Sequence, residues 1–206
     1  MLKTSRIIKS EKFVRTEKLV ITLHGYGTSG LDFAEVGEIF LAKKIDNAVF
    51  LFPDAPKRCE AGFGGYQWFD LDELSHEAMR QGLAKVAPVL KEYIESMSRE
   101  YNCDNIYLIG FSQGTITAFE MMYYTKISKI LAYSGLFVNY SDDLVSKPEV
   151  LLVHSSDDPV VPYKNALDAR RDLSKLGLTV ALESYNNIGH SISLEGWETG
   201  IKFLNK

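Results

Sequence analysis

The chain has 206 residues, 46% of them hydrophobic, and carries a net charge of −4 from 23 Lys+Arg against 27 Asp+Glu. A chain of this size exposes roughly 9,700 Å² folded against roughly 33,600 Å² unfolded, so one domain over 1–206 can bury a full core, which sets aside disordered, collagen-like and disulfide-stapled classes. No basic run is longer than Lys43-Lys44 or Arg170-Arg171, so a nucleic-acid partner, which needs a concentrated basic face, is not expected.

In chain order, residues 6–14 can supply an antiparallel edge strand through Ile7, Ile8, Phe13 and Val14. The runs 19–23, 48–52, 106–109, 129–133, 150–153 and 180–183 read as strands, most of them apolar at consecutive positions. Such runs belong to strands covered on both faces, as in a parallel sheet. Between them lie segments of helical period. The first spans 31–44. The second spans 75–100, with Leu83, Val86, Leu90, Tyr93 and Met97 on one stripe and Pro88 inside it, which should kink or restart the helix. A third spans 113–124, where Gly114 and Ala118 allow close approach to a sheet; a fourth spans 164–176 and stops at Gly177; the last spans 194–203. Strand and helix alternate throughout, which predicts an α/β fold with a mainly parallel sheet flanked by helices.

Cys59 and Cys103 are the only cysteines, and a core this large needs no bridge between them. The expectation is a reduced, cytoplasmic chain with Cys59 at the surface and Cys103 between a helix and a strand. The early basic residues (Lys3, Arg6, Lys9, Lys12) come without an apolar signal-type stretch, and no apolar run approaches the ~18–20 residues of a membrane span.

Two glycine motifs sit where a parallel sheet binds ligands, beyond strand carboxyl ends. Gly25-Tyr26-Gly27-Thr28-Ser29-Gly30 is a G-x-G-x-x-G with Asp54 past the next strand, the pattern of a dinucleotide-binding oxidoreductase. Gly110-Phe111-Ser112-Gln113-Gly114 is a G-x-S-x-G between a strand and a helix, as a nucleophile elbow requires. The remainder of the chain favours the second. A serine hydroxyl needs a base, and the base needs an orienting carboxylate. Asp157-Asp158 and His190 follow, each just past a strand, in the order Ser, Asp, His. His24-Gly25-Tyr26-Gly27 then gains a role: the backbone N–H of Tyr26 and that of Gln113 are placed to receive a developing oxyanion. A dinucleotide reading leaves Ser112, Asp158 and His190 unexplained. A third possibility is a non-catalytic ligand-binding protein of the same fold, against which the complete set of three groups argues. This chemistry calls for no metal or organic cofactor.

The stretches Leu23-His24-Gly25-Tyr26-Gly27, Phe52-Pro53-Asp54-Ala55-Pro56, Trp68-Phe69-Asp70, Gly110-Phe111-Ser112-Gln113-Gly114, Asp158-Pro159-Val160-Val161-Pro162 and Gly189-His190 resemble, in order, the phospholipase/carboxylesterase family of α/β-hydrolases, relatives of acyl-protein thioesterases. The resemblance implies an α/β-hydrolase fold without a large cap and hydrolysis of carboxylic esters or thioesters. It also implies that Ser112, Asp158 and His190 match the family's catalytic residues, favours Asp158 over Asp157, and places Trp68 near the acyl site as a substrate-binding candidate. Small acyl esters or thioesters, lysophospholipids and acylated proteins are the substrates it suggests. The chain departs from the family pattern at Thr28-Ser29, where an acidic residue is usual, at Ser155-Ser156, and through the loop 57–67 with its Cys59.

Other candidates have plainer readings. His24 and His154 are expected to satisfy buried backbone, and His76 to be solvated. Gly62-Phe63-Gly64-Gly65 lacks the helix that a phosphate loop needs, so it reads as a flexible rim over the site.

Overall fold

All six apolar runs become strands of one sheet. In the computed structural model, which describes residues 2–59, 64–71, 73, 75–139 and 141–206, the chain runs β1 (Thr4–Lys9), β2 (Lys18–Leu23), α1 (Gly30–Leu41), β3 (Ala48–Pro53), β4 (Lys57–Arg58), β5 (Tyr66–Gln67), α2 (His76–Tyr101), β6 (Ile106–Phe111), α3 (Gln113–Glu120), a 3-10 turn (Met121–Tyr123), β7 (Lys129–Tyr133), β8 (Glu149–Ser155), α4 (Lys164–Lys175), β9 (Val180–Tyr185) and α5 (Leu194–Leu204). The sheet order is β1-β3-β2-β6-β7-β8-β9, parallel except for β1, which pairs antiparallel with β3. Helices α1 and α5 cover one face, packing Ala34, Leu41, Trp197 and Ile201 onto Val20, Phe50 and Leu131. Helices α2, α3 and α4 cover the other through residues such as Leu83, Ile116 and Leu173. The chain leaves β2 toward β3 on one side and later enters β6 on the other. The carboxyl ends of β2 and β6 therefore flank a crevice at the point where strand order reverses, the usual seat of a ligand in such sheets.

Several local expectations need correction. The antiparallel edge strand ends at Lys9 rather than continuing to residue 14, and Val14 is 88% exposed. Helix α2 does not restart at Pro88 but continues through it to Tyr101. Pro88 lies on the exposed side, where the carbonyl it cannot pair meets water, while Met79, Leu83, Leu90 and Ile94 on either side stay buried. Cys59 is buried, not a surface thiol: its N–H donates to the Gly65 carbonyl at 2.9 Å as β4 and β5 pair into a small hairpin. The loop 57–67 is thus partly strand, and of the rim predicted at Gly62-Phe63-Gly64-Gly65, Gly62 and Phe63 lie outside the described residues. Among the strands read from apolar runs, β9 lies outermost, at the edge opposite β1, and its Ala181, Glu183 and Ser184 are exposed.

Candidate active site

At the carboxyl end of β6 the chain turns so sharply into α3 that Ser112 takes φ 53°, ψ −115°, a conformation that costs a non-glycine residue on the order of 1–3 kcal/mol. Its surroundings over-determine it. The Ser112 N–H donates to the Tyr133 carbonyl at 2.9 Å, and the Ser112 carbonyl accepts from the N–H groups of Thr115 (3.0 Å) and Ile116 (3.3 Å). The flanking glycines are needed for space. A Cβ on Gly110 would collide with the Thr115 backbone, and one on Gly114 with the Leu23 carbonyl. Strand, turn and helix can pack this tightly only with bare backbone at both positions.

The second group arrives on the loop after β9, which bends through Asn187 (φ 59°) and Gly189 (φ 57°) to present His190. The His190 Nε2 lies 3.0 Å from Ser112 Oγ, and its Nδ1 lies 2.8 Å from Asp158 Oδ2. An ionised carboxylate only accepts, so Nδ1 carries the proton and Nε2 is left to accept from the serine hydroxyl. The imidazole packs on Phe111, with ring centroids 5.0 Å apart. Asp158 is held from behind: its Oδ1 accepts the N–H groups of Val160 (2.8 Å) and Val161 (2.9 Å), and its carboxylate is fully buried. The neighbouring Asp157 is exposed and accepts from the Ser155 hydroxyl, the bond that lowers its pKa. Of the two adjacent aspartates, only Asp158 meets the imidazole in the described hydrogen bonds.

His154 sits behind this pair. Its Nε2–H donates to the Val161 carbonyl at 2.8 Å and lies 3.4 Å from Asp158 Oδ2; burial pushes its pKa down, which keeps the ring neutral. Among the described residues no group of three or more His, Cys, Asp or Glu side chains could hold a metal ion.

Tyr26 lies in the turn that follows β2. This turn is stacked on the elbow: a Cβ on Gly25 would touch the Phe111 ring at 3.0 Å. The Gln113 backbone N–H stands at the first position of α3, where helix N–H groups lack intrahelical partners. The side chain of Gln113 has a use the sequence did not suggest. Its Oε1 accepts the Trp68 N–H at 2.9 Å and its Nε2 donates to the Phe69 carbonyl at 2.7 Å. Trp68 itself is 2% exposed, and its indole N–H donates to the His24 carbonyl at 2.9 Å. It therefore lies behind the turn that follows β2, while the cavity at Ser112 is bounded by other residues. That cavity, of ≈ 270 Å³, is lined by Ser112, Gln113, Ile116, Leu71, Met79, Leu136, Val160, Val161, Pro162 and Asn165. Its apolar wall draws on five separate segments, and only the Val160-Val161-Pro162 run offered a local signal. The acidic residue of the dinucleotide alternative is already engaged: Asp54 Oδ1 accepts the Gly30 N–H at 3.0 Å and its Oδ2 accepts the Ser5 hydroxyl at 2.5 Å.

A mainly parallel sheet, a serine elbow at its switch point, and an imidazole and a carboxylate delivered by two later strands make up the architecture of an α/β-hydrolase. The phospholipase/carboxylesterase family profile matches residues 3–206. Acyl-protein thioesterase 1 of Candida albicans is 30% identical, over 90% of this chain and 90% of that protein. A probable carboxylesterase, SOBER1-like, of Arabidopsis thaliana is 28% identical over 94% of this chain and 82% of its own length. Among solved structures, the crystal structure of esterase PE8 superposes with a TM-score of 0.89 at 29% identity, covering 98% of this chain and 97% of that one. The chain belongs to the phospholipase/carboxylesterase family, a group of carboxylic ester hydrolases. No helix among the described residues is long and apolar enough to cross a membrane.

Proposed function

We propose that this protein hydrolyses carboxylic esters or thioesters through an acyl-enzyme on Ser112. The observation that carries the reading is the continuous relay from Ser112 Oγ to His190 (3.0 Å) and from His190 to Asp158 (2.8 Å). His190 Nε2 takes the hydroxyl proton as Oγ attacks the acyl carbonyl carbon. Asp158 holds the imidazole tautomer and stabilises the imidazolium. The oxyanion is received by the N–H groups of Tyr26 and Gln113. When the tetrahedral intermediate collapses, the bond to the alcohol or thiol breaks and His190 protonates that leaving group. Water then attacks the acyl-enzyme with His190 again as base, which releases the acid and restores Ser112.

The ≈ 270 Å³ apolar cavity beside Ser112 is the place for the acyl chain. Its apolar lining suits an acyl chain rather than a polar group. The named relatives extend the candidates to thioesters on proteins. A fluorophosphonate probe followed by mapping of the labelled residue is the decisive experiment, and the label is expected on Ser112. Ser112→Ala should lose roughly ten-thousandfold or more in kcat with the fold intact; labelling elsewhere, or retention of most activity, would overturn the assignment. Asp158→Asn should lose about ten-thousandfold by fixing the wrong tautomer, while Asp157→Asn should stay close to wild type. A p-nitrophenyl ester series then reads the acyl preference.

A further inference from the structure

The turn after β2 is tied down by contacts that the proton relay does not use. The Gly25 carbonyl and the Tyr26 N–H belong to one peptide unit, and no described peptide bond is cis. In a trans unit the two groups point in opposite directions, so whatever holds the carbonyl aims the N–H. Three donors converge on that carbonyl oxygen: His24 Nδ1 at 2.8 Å, the Thr28 hydroxyl at 3.0 Å and the Thr28 N–H at 3.4 Å. The His24 tautomer follows from its other nitrogen, because Nε2 accepts the Ala55 N–H at 3.0 Å and the proton must therefore sit on Nδ1. Donors on the carbonyl also draw density toward it, which strengthens the N–H of the same unit as a donor.

We infer that Thr28, with His24 beside it, is a positioning residue for the hydrolysis: its hydroxyl fixes the Gly25–Tyr26 peptide so that the Tyr26 N–H meets the oxyanion. The inference rests on the serine-esterase reading above. Thr28 suits a clean test because its main chain is secured independently of its side chain. The Tyr66 N–H donates to the Thr28 carbonyl at 2.7 Å, and the Gly27 N–H donates to the Tyr66 carbonyl at 2.9 Å. The side chain itself is exposed, so an isosteric change should leave the turn in place.

Thr28→Val keeps the shape and removes the donor. Loss of one such bond in the transition state should lower kcat about threefold to tenfold with KM unchanged. The affinity for a trifluoromethyl ketone, which forms a tetrahedral adduct on serine, should fall by the same factor, and Thr28→Ser should restore both. Wild-type kcat in Thr28→Val, a change confined to KM, or a loss that Thr28→Ser does not repair would each overturn the inference. Should Thr28→Val fail to fold by its melting curve, Thr28→Ala supplies the same comparison. Ser112→Ala, run alongside, separates the two levels. If it is dead while Thr28→Val is unaffected, only the role of Thr28 falls; if it is active, the serine reading falls and takes Thr28 with it.

Discussion

The elbow at Ser112 and the turn at 25–28 lie against each other at the carboxyl ends of the paired strands β6 and β2, yet they are held by different means. The elbow is clamped by backbone. Glycines at 110 and 114 leave no room for a Cβ, and the strained serine is bonded through its own N–H and carbonyl. The turn is clamped by side chains: His24 and Thr28 grip the Gly25 carbonyl, and the indole of Trp68 grips that of His24. A backbone clamp is close to all-or-none, because any added atom forces strand and helix apart. A side-chain clamp can be loosened one bond at a time, so graded tuning of the site belongs to the turn.

The largest break in this contrast is expected from Gly114→Ala. The new methyl would run into the Leu23 carbonyl and come within 2.8 Å of the His24 carbonyl oxygen, pushing the elbow away from the turn and disturbing both proposed oxyanion donors at once. A stability loss of about 3 kcal/mol, toward the upper end for overpacking, should appear in urea denaturation together with a collapse of kcat. Native stability and activity in that variant would show that the elbow has slack after all.

A smaller effect sharpens the other side of the contrast. Burial pushes the pKa of His24 down, against the pull of the Gly25 carbonyl, Asp54 and Asp32, and it pushes His154 down against Val161 and Asp158. Below the ordinary histidine value near 6.5 the unfolded chain takes up protons that the folded chain refuses. Stability should therefore fall as the pH drops below that value, by about 1.4 kcal/mol per pH unit for each proton. His24→Asn, whose amide can still donate to the Gly25 carbonyl, should remove one proton's share of that slope in urea titrations between pH 7.5 and 5.5. Equal slopes in the two proteins would show that the turn does not depend on a neutral imidazole.

The reactive groups could be read from the chain because each stands directly after a strand, framed by glycine or proline: Ser112 between Gly110 and Gly114, Asp158 before Pro159, His190 after Gly189. Their supports were hidden because they pair residues far apart in the chain. Gln113 reaches Trp68 and Phe69 across 45 and 44 positions, and such bonds leave no local pattern. The same distance effect explains Cys59, whose burial depends on the β4–β5 hairpin. For β9, an apolar run cannot reveal whether a further strand lies beside it. Asp157 and Asp158 are adjacent and identical in type, and what separates them is tertiary: Asp158 is buried against His190 with its carboxylate held by the Val160 and Val161 N–H groups, whereas Asp157 is exposed.

That outermost strand has a consequence for the working life of the protein. The proposed nucleophile, Ser112, directly follows β6, which is enclosed by β2 and β7, whereas the His190 imidazole hangs from a loop at the rim, after a half-exposed strand bonded in the described sheet to β8 alone. Fraying at this margin would carry the proposed base away while the central strands stayed paired. Catalytic competence thus registers the integrity of the sheet's weakest border sooner than its interior, and thermal inactivation would set in ahead of global melting.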